Sequence, residues 1–203
     1  MEIETLLTGI GGQGIQLAAR TLAEAAIADG REVMVFGSYG GMMRGGRTDA
    51  TVIVGDERLL APPTVPSAWC ALAMHHQYWA AVAERLRRGA VAVVDQSVFG
   101  EVPAVPGVTV VAVAASARAA EMGTPMAASM VALGALAAAT ALTGLDALLE
   151  ASAGVLPPYR RQHAEANAAA LAAGYALVDL PAPSPWAAAG DGPPWPARAE
   201  AAT

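Results

Sequence analysis

The chain opens with alternation that turns into an apolar run, Glu2 to Thr8 with Ile3, Leu6 and Leu7, which predicts a first strand. It enters a glycine-rich turn, Gly9-Ile10-Gly11-Gly12-Gln13-Gly14. From Ile15 to Asp29, Leu17, Ala18, Thr21, Leu22 and Ala25 recur at helical spacing, and Gly30 supplies the stop. Glu32–Phe36 reads as a second short strand and Thr48–Val54 as a third, rich in β-branched residues. Between them, Gly37–Arg47 is a glycine-rich loop too long for a tight hairpin. Ala61-Pro62-Pro63-Thr64-Val65-Pro66 is a rigid connector to a buried strand, Ala68–Met74.

A helix is expected near Tyr78–Arg88, closed by Gly89, and central strands at Ala90–Asp95 and Val108–Ala114. Beyond Ala115 the pattern is helical: a short piece to Met122, a helix that Thr124 caps with Pro125 at its first position, another from Leu145, and one opened by Pro157-Pro158 that runs to about Ala173. From Pro181 the periodicity stops, and a proline-rich stretch is expected to be extended or disordered. The resulting division is a domain over residues 1–180 and a Pro/Ala-rich tail over 181–203. Strands alternating with helices predict an α/β fold: a Rossmann-like, open, mostly parallel sheet flanked by helices.

Composition narrows the chemistry. Hydrophobic residues make up 55% of the 203 and charged residues 15%, enough for a packed core. A net charge of −6, with no basic cluster longer than Arg87-Arg88 or Arg160-Arg161, argues against nucleic-acid binding. All 12 basic residues are arginine, which excludes Schiff-base chemistry and a Walker-type lysine. The single cysteine, Cys70, cannot form an internal disulfide or ligate an iron–sulfur cluster alone. The apolar run Met126–Leu142 is mostly alanine, so it reads as a buried helix rather than a membrane span. Met1-Glu2-Ile3-Glu4 is acidic where a secretory leader would be basic, and the expected location is the cytoplasm.

Two glycine segments carry the candidate site. Gly9, Gly11 and Gly14 satisfy G-x-G-x-x-G between a strand and a helix, where glycine lets the backbone approach an anion held by the helix N-terminus. A nicotinamide reductase would also need a carboxylate at the end of the second strand, but Phe36-Gly37-Ser38 has none. A turn that merely packs helix on strand is the plainer alternative. In the second segment, Tyr39-Gly40-Gly41 and Arg44-Gly45-Gly46 place Arg44 and Arg47 where a phosphate or carboxylate could be met, or where they are simply solvated. His75 and His76 are adjacent, so their imidazoles are expected on opposite sides, in a structural role. No Ser-His-Asp set, carboxylate pair or metal-ligand spacing emerges, and no residue is assigned a catalytic role.

Gly11-Gly12-Gln13-Gly14, Ser38-Tyr39-Gly40 with Arg44-Gly45-Gly46, and the Leu133-Gly134 region resemble the gamma subunit of 2-oxoacid:acceptor (ferredoxin) oxidoreductases, a similarity that covers residues 3–178. Departures are Met42, where an acidic residue is usual, Trp69 in place of a common aspartate, and Ser129 where asparagine is usual. The resemblance implies a non-catalytic subunit of an enzyme that converts a 2-oxoacid and coenzyme A to acyl-CoA and carbon dioxide, with ferredoxin or NAD as acceptor. It implies alpha, beta and ferredoxin-like delta partners that carry thiamine diphosphate, Mg2+ and [4Fe-4S] clusters. It also implies that Gly11, Gly12, Gln13, Gly14, Ser38, Tyr39, Arg44, Gly45 and Gly46 form the coenzyme A side of the site. Two rivals stand beside it: a stand-alone NAD(P) reductase and a purely structural docking subunit.

Overall fold

The computed structural model describes residues 1–39, 45–60, 65–179, 184–187 and 194–195. Its strands are β1 (Glu2–Ile10), β2 (Glu32–Tyr39), β3 (Arg47–Gly55), β4 (Ala68–Ala73), β5 (Leu86–Asp95) and β6 (Thr109–Val113). Its helices are α1 (Ile15–Ala28), α2 (Trp79–Ala83), α3 (Gln96–Phe99), α4 (Ala115–Glu121), α5 (Ala128–Thr140), α6 (Leu145–Gly154) and α7 (Ala164–Tyr175). The strands form one open sheet in the order β2-β3-β1-β4-β5-β6. β1, β4, β5 and β6 run parallel, while β3 is antiparallel to both β2 and β1. The expected α/β class and mostly parallel sheet are thus present, with an antiparallel hairpin on one side.

The two faces are covered unequally. On one, Ile3, Leu7, Leu72, Val91 and Val93 meet α1 and α5 in the main core. On the other, Leu6, Ile53, Ala71 and Ala92 are covered by Leu59, Val65, Val82 and the half-buried Trp79. α5 is the apolar run that resembled a membrane span, and all 13 of its residues are buried. No helix among the described residues is long and apolar enough to cross a membrane. Burial is completed by a close approach of α5 to α7. A Cβ built on Gly134 would overlap the carbonyl of Leu171, and one built on Gly174 would overlap that of Val131. The two helices meet backbone to backbone, which only the absence of a side chain permits.

Several sequence expectations are corrected by tertiary contacts. The helix expected over Tyr78–Arg88 is only Trp79–Ala83, after a 3-10 turn at His76–Tyr78. Arg87 belongs instead to β5, where it pairs with Glu4 at 2.9 Å and bonds Ser67 Oγ, with its guanidinium 5.0 Å from the Trp69 ring centroid. Gly89 does not end a helix: at φ 88° it sits in an irregularity of β5, its N–H donating to Gly107 at 2.6 Å. Thr124 makes no side-chain cap, because Pro125 opens a 3-10 turn and α5 starts at Ala128. Pro158 likewise opens a 3-10 turn that precedes α7. Gly30 does follow the end of α1, at φ 77°.

The tail expected to be extended or disordered contributes to the core at its two described pieces. Trp186 donates its indole N–H to Leu142 at 3.0 Å and lies under Arg31, and Trp195, only 4% exposed, donates to Thr140 at 2.5 Å. The Trp195 indole thereby satisfies a carbonyl that the end of α5 leaves without a helical partner, and Trp186 does the same for the segment just beyond it. The sharpest test of the packing is the helix pair. Gly174→Ala is expected to lower unfolding free energy by about 3 kcal/mol, measured by urea denaturation, since the clash is with backbone and cannot be relieved by a rotamer change.

Candidate functional site

The carboxyl ends of β1, β4 and β5 lie along one edge of the sheet, and the first glycine turn leaves β1 at that edge. Gly12 is at φ 105° and Gly14 at φ 80°, conformations that L side chains adopt only with strain. Gly14 is also the N-cap of α1, and a Cβ there would stand 2.5 Å from Ser129 Oγ on α5. The Ser129 position, singled out as a departure from the family pattern, thus packs directly on the glycine turn. The first backbone bond of α1 runs from Ala18 N–H to the Gly14 carbonyl. The N–H groups of Ile15, Gln16 and Leu17 therefore stand at the open start of the helix, at the positive end of its dipole.

Gln13 braces the turn. Its Oε1 accepts from Ile10 N–H at 2.8 Å and its Nε2 donates to the Met74 carbonyl at 3.0 Å. Both ends of the amide are therefore engaged within the protein, linking the turn to the end of β4. The second glycine segment meets the first: Gly11 N–H donates to the Gly46 carbonyl at 2.8 Å, and Gly45 turns at φ 89°. Ser38 and Tyr39 close β2, where they pair with Asp49 and Thr48 of β3. Arg44 lies outside the described residues. Gly11, Gly12, Gln13, Gly14, Gly45 and Gly46 are thus brought together at one edge.

Sequence reasoning gave Arg47, His75 and His76 less weight than the geometry does. Arg47 begins β3 opposite Ile10, so its side chain emerges beside the glycine turn. Its Nε lies 2.6 Å from Asp49 Oδ2, an ionic contact without hydrogen-bond alignment, and its guanidinium is 5.6 Å from the Tyr78 ring centroid. Asp49 is itself held by Thr8 Oγ1 at 2.7 Å, and its carbonyl takes the Gln16 amide at 2.8 Å. The imidazoles of His75 and His76 do not point to opposite sides. His75 is extended and His76 starts a 3-10 turn, which stacks the rings with centroids 4.6 Å apart. His75 Nδ1 accepts from Gln77 N–H and His76 Nδ1 faces the Val98 carbonyl at 3.1 Å, so the pair does not converge on one point as a chelate would. Burial, aided by the neighbouring His76, holds the His75 pKa below its ordinary value.

Asp95, at the end of β5, is fully buried and saturated by Ser97 N–H and by the N–H and hydroxyl of Ser116. Cys70 is enclosed within β4, and burial pushes its thiol up to about 12. A protonated, enclosed thiol is no ligand for an iron–sulfur cluster, so the residues present do not fit that group. The topology also bears on dinucleotide binding. β3 stands between β1 and β2, which moves the end of β2 one strand away from the glycine turn. Among the described residues, the end of β2 therefore places no ribose carboxylate beside the glycine turn.

Comparison with known proteins agrees with this layout. A family model described as pyruvate ferredoxin/flavodoxin oxidoreductase matches residues 4–177. The 2-oxoglutarate synthase subunit KorC of Methanothermobacter marburgensis is 36% identical over 96 residues, covering 47% of this chain and 51% of that one. Ketoisovalerate oxidoreductase subunit VorA of Methanothermobacter thermautotrophicus is 36% identical over 61 residues, 30% of this chain and 13% of its own. The chain spans about half the length of the KorC relatives it matches. Among solved structures, the gamma subunit of a keto/oxoacid ferredoxin oxidoreductase from Geobacter sulfurreducens superposes with a TM-score of 0.69 at 28% identity, covering 86% of this chain and 96% of that one. A 2-oxoglutarate:ferredoxin oxidoreductase from Magnetococcus marinus shares the fold with a TM-score of 0.76 at 24% identity, over 87% of this chain and 31% of its own. With the match extending over nearly all of the sheet and helices described above, the chain belongs to the pyruvate ferredoxin/flavodoxin oxidoreductase family.

Proposed function

We propose that this chain is the gamma subunit of a multi-subunit, thiamine-diphosphate-dependent 2-oxoacid oxidoreductase, and that it helps bind coenzyme A and close the active site. The overall reaction takes a 2-oxoacid anion and coenzyme A to acyl-CoA, carbon dioxide, one proton and two electrons, which pass to ferredoxin or NAD. Thiamine diphosphate, on a partner subunit, supplies the carbanion chemistry of decarboxylation. This chain's part is binding and enclosure. The observation that carries the reading is the bond between Gly11 and Gly46, which fuses two glycine segments into one ledge at the start of α1. Such a ledge offers backbone N–H groups and a dipole end to a phosphate-bearing ligand. Ser38, Tyr39 and Arg44 complete it in this reading.

A non-catalytic role is supported by what the nearby polar groups already do. Asp95 is saturated, Cys70 is enclosed, and both Nδ1 atoms of the stacked histidines face backbone partners. In this reading, thiamine diphosphate, Mg2+ and [4Fe-4S] clusters reside on alpha, beta and ferredoxin-like delta partners, and the complex works in the cytoplasm. Residues 1–180 form the gamma domain, with 181–203 as an appended tail.

Two experiments test the proposal. Native purification of the tagged chain is expected to bring down cysteine-rich, brown partners with coenzyme-A-dependent viologen reduction by one of a panel of 2-oxoacids. A colourless, solitary chain that binds NAD(P) would overturn it. Within an active complex, Gly14→Ala is expected to cost about 2 kcal/mol of stability and to weaken coenzyme A binding, because strain at φ 80° adds to the contact with Ser129. Gly12→Ala meets nothing within 4 Å and is expected to cost less, about 1 kcal/mol, by thermal denaturation.

A further inference from the structure

We propose that Arg47 is a phosphate-reading residue of the ligand site, with Asp49 as its positioning residue and Tyr78 as the platform beneath its guanidinium. The inference rests on the coenzyme A reading above and deepens it, since it names a side chain that binds the ligand and the group on the ligand that it meets.

Place comes first. Arg47 is paired across the sheet with Ile10, the last residue of β1 before the glycine turn. The next residue but one on β3, Asp49, shares its face of the sheet. Asp49 is fixed from the other strand, because Thr8 Oγ1 donates to Oδ1 at 2.7 Å, which leaves Oδ2 to face Arg47 Nε at 2.6 Å. Opposite, the Tyr78 ring lies 5.6 Å from the guanidinium carbon. The arginine is thus held at its Nε by a carboxylate, with its guanidinium carbon over an aromatic ring.

What remains free decides the chemistry. Among the described residues, no hydrogen-bond partner meets the two terminal nitrogens of Arg47, and its side chain is 40% exposed. A guanidinium whose Nε meets a carboxylate keeps its terminal N–H groups for a ligand, a planar fork that matches two oxygens of one phosphate. An arginine free in solvent loses rotamer entropy when it binds, whereas one already oriented loses less. The Arg47 backbone adjoins the glycine ledge through Gly46, while alternation along β3 places its side chain on the sheet face of Leu6 and Ile53, so a ligand that reaches over the end of the sheet would meet both. Alternatively, the pair is an isolated surface ion pair, which contributes little and has no bearing on ligands.

The test uses the assembled complex and steady-state kinetics with coenzyme A as the varied substrate. Arg47→Ala is expected to raise KM for coenzyme A about tenfold or more, with the loss concentrated in KM rather than kcat. Arg47→Lys keeps the charge but not the fork, and is expected to recover only part of the loss. Asp49→Asn is expected to raise KM by a smaller factor. An unchanged KM in an Arg47→Ala complex that assembles would overturn the phosphate role, and an unchanged KM in Asp49→Asn alone would overturn the positioning role. A second readout separates failure here from failure of the coenzyme A reading. Calorimetry of the full chain with inorganic pyrophosphate is expected to give binding that Arg47→Ala loses. Equal binding by the two, or none by the wild type, counts against Arg47 whatever the complex catalyses.

Discussion

The direction of β3 is the constraint on which the site depends. Because β3 runs antiparallel to β1, its first residue lies at the carboxyl end of β1, while parallel β4 delivers its last residues to that same end. Residues far apart in the chain, Arg47, the glycine turn and His75, therefore meet along one edge. Had β3 been parallel, Arg47 would stand at the opposite edge of the sheet. The bond from Gly11 to Gly46 and the contact of Arg47 with Tyr78 both follow from this arrangement.

A second constraint is the space available above the sheet. α5 is enclosed on all sides, between the sheet and α7, and small residues let it be so. Gly134 and Gly174 allow a backbone contact that fixes the height of α5, and Ser129 on the same helix then touches Gly14. Packing of the helix layer is in this way transmitted to the turn where a ligand would bind. The indoles of Trp195 and Trp186 secure the other end of α5 by donating to the carbonyl of its last residue, Thr140, and to that of Leu142 just beyond it.

Polar groups at the carboxyl edge serve mostly to hold one another. Gln13 ties β1 to β4, Asp95 ties the end of β5 to the starts of α3 and α4, and Asp49 ties Thr8 to Arg47. An edge with its polar side chains committed internally has backbone N–H groups and arginine left for recognition. That division of labour supports the reading proposed above, in which this chain positions a ligand for chemistry on partner subunits.

Local sequence determined the class of fold, the first strand–turn–helix unit and the buried nature of the alanine-rich segment, because each rests on periodicity or on glycine at a fixed place. Glycine spacing marked Gly9, Gly11 and Gly14 for the same reason, while Gly12 and Gln13 were marked only by the family resemblance. What only the tertiary structure decided is pairing. Arg87 lies in a strand rather than a helix because Glu4, 83 residues away, faces it. His75 and His76 stack because a 3-10 turn starts between them, and Arg47 gains its place from a strand whose direction no local pattern encodes. Spacing along a chain fixes which residues share a face of one element, but contacts between elements depend on the free energy of the whole sheet.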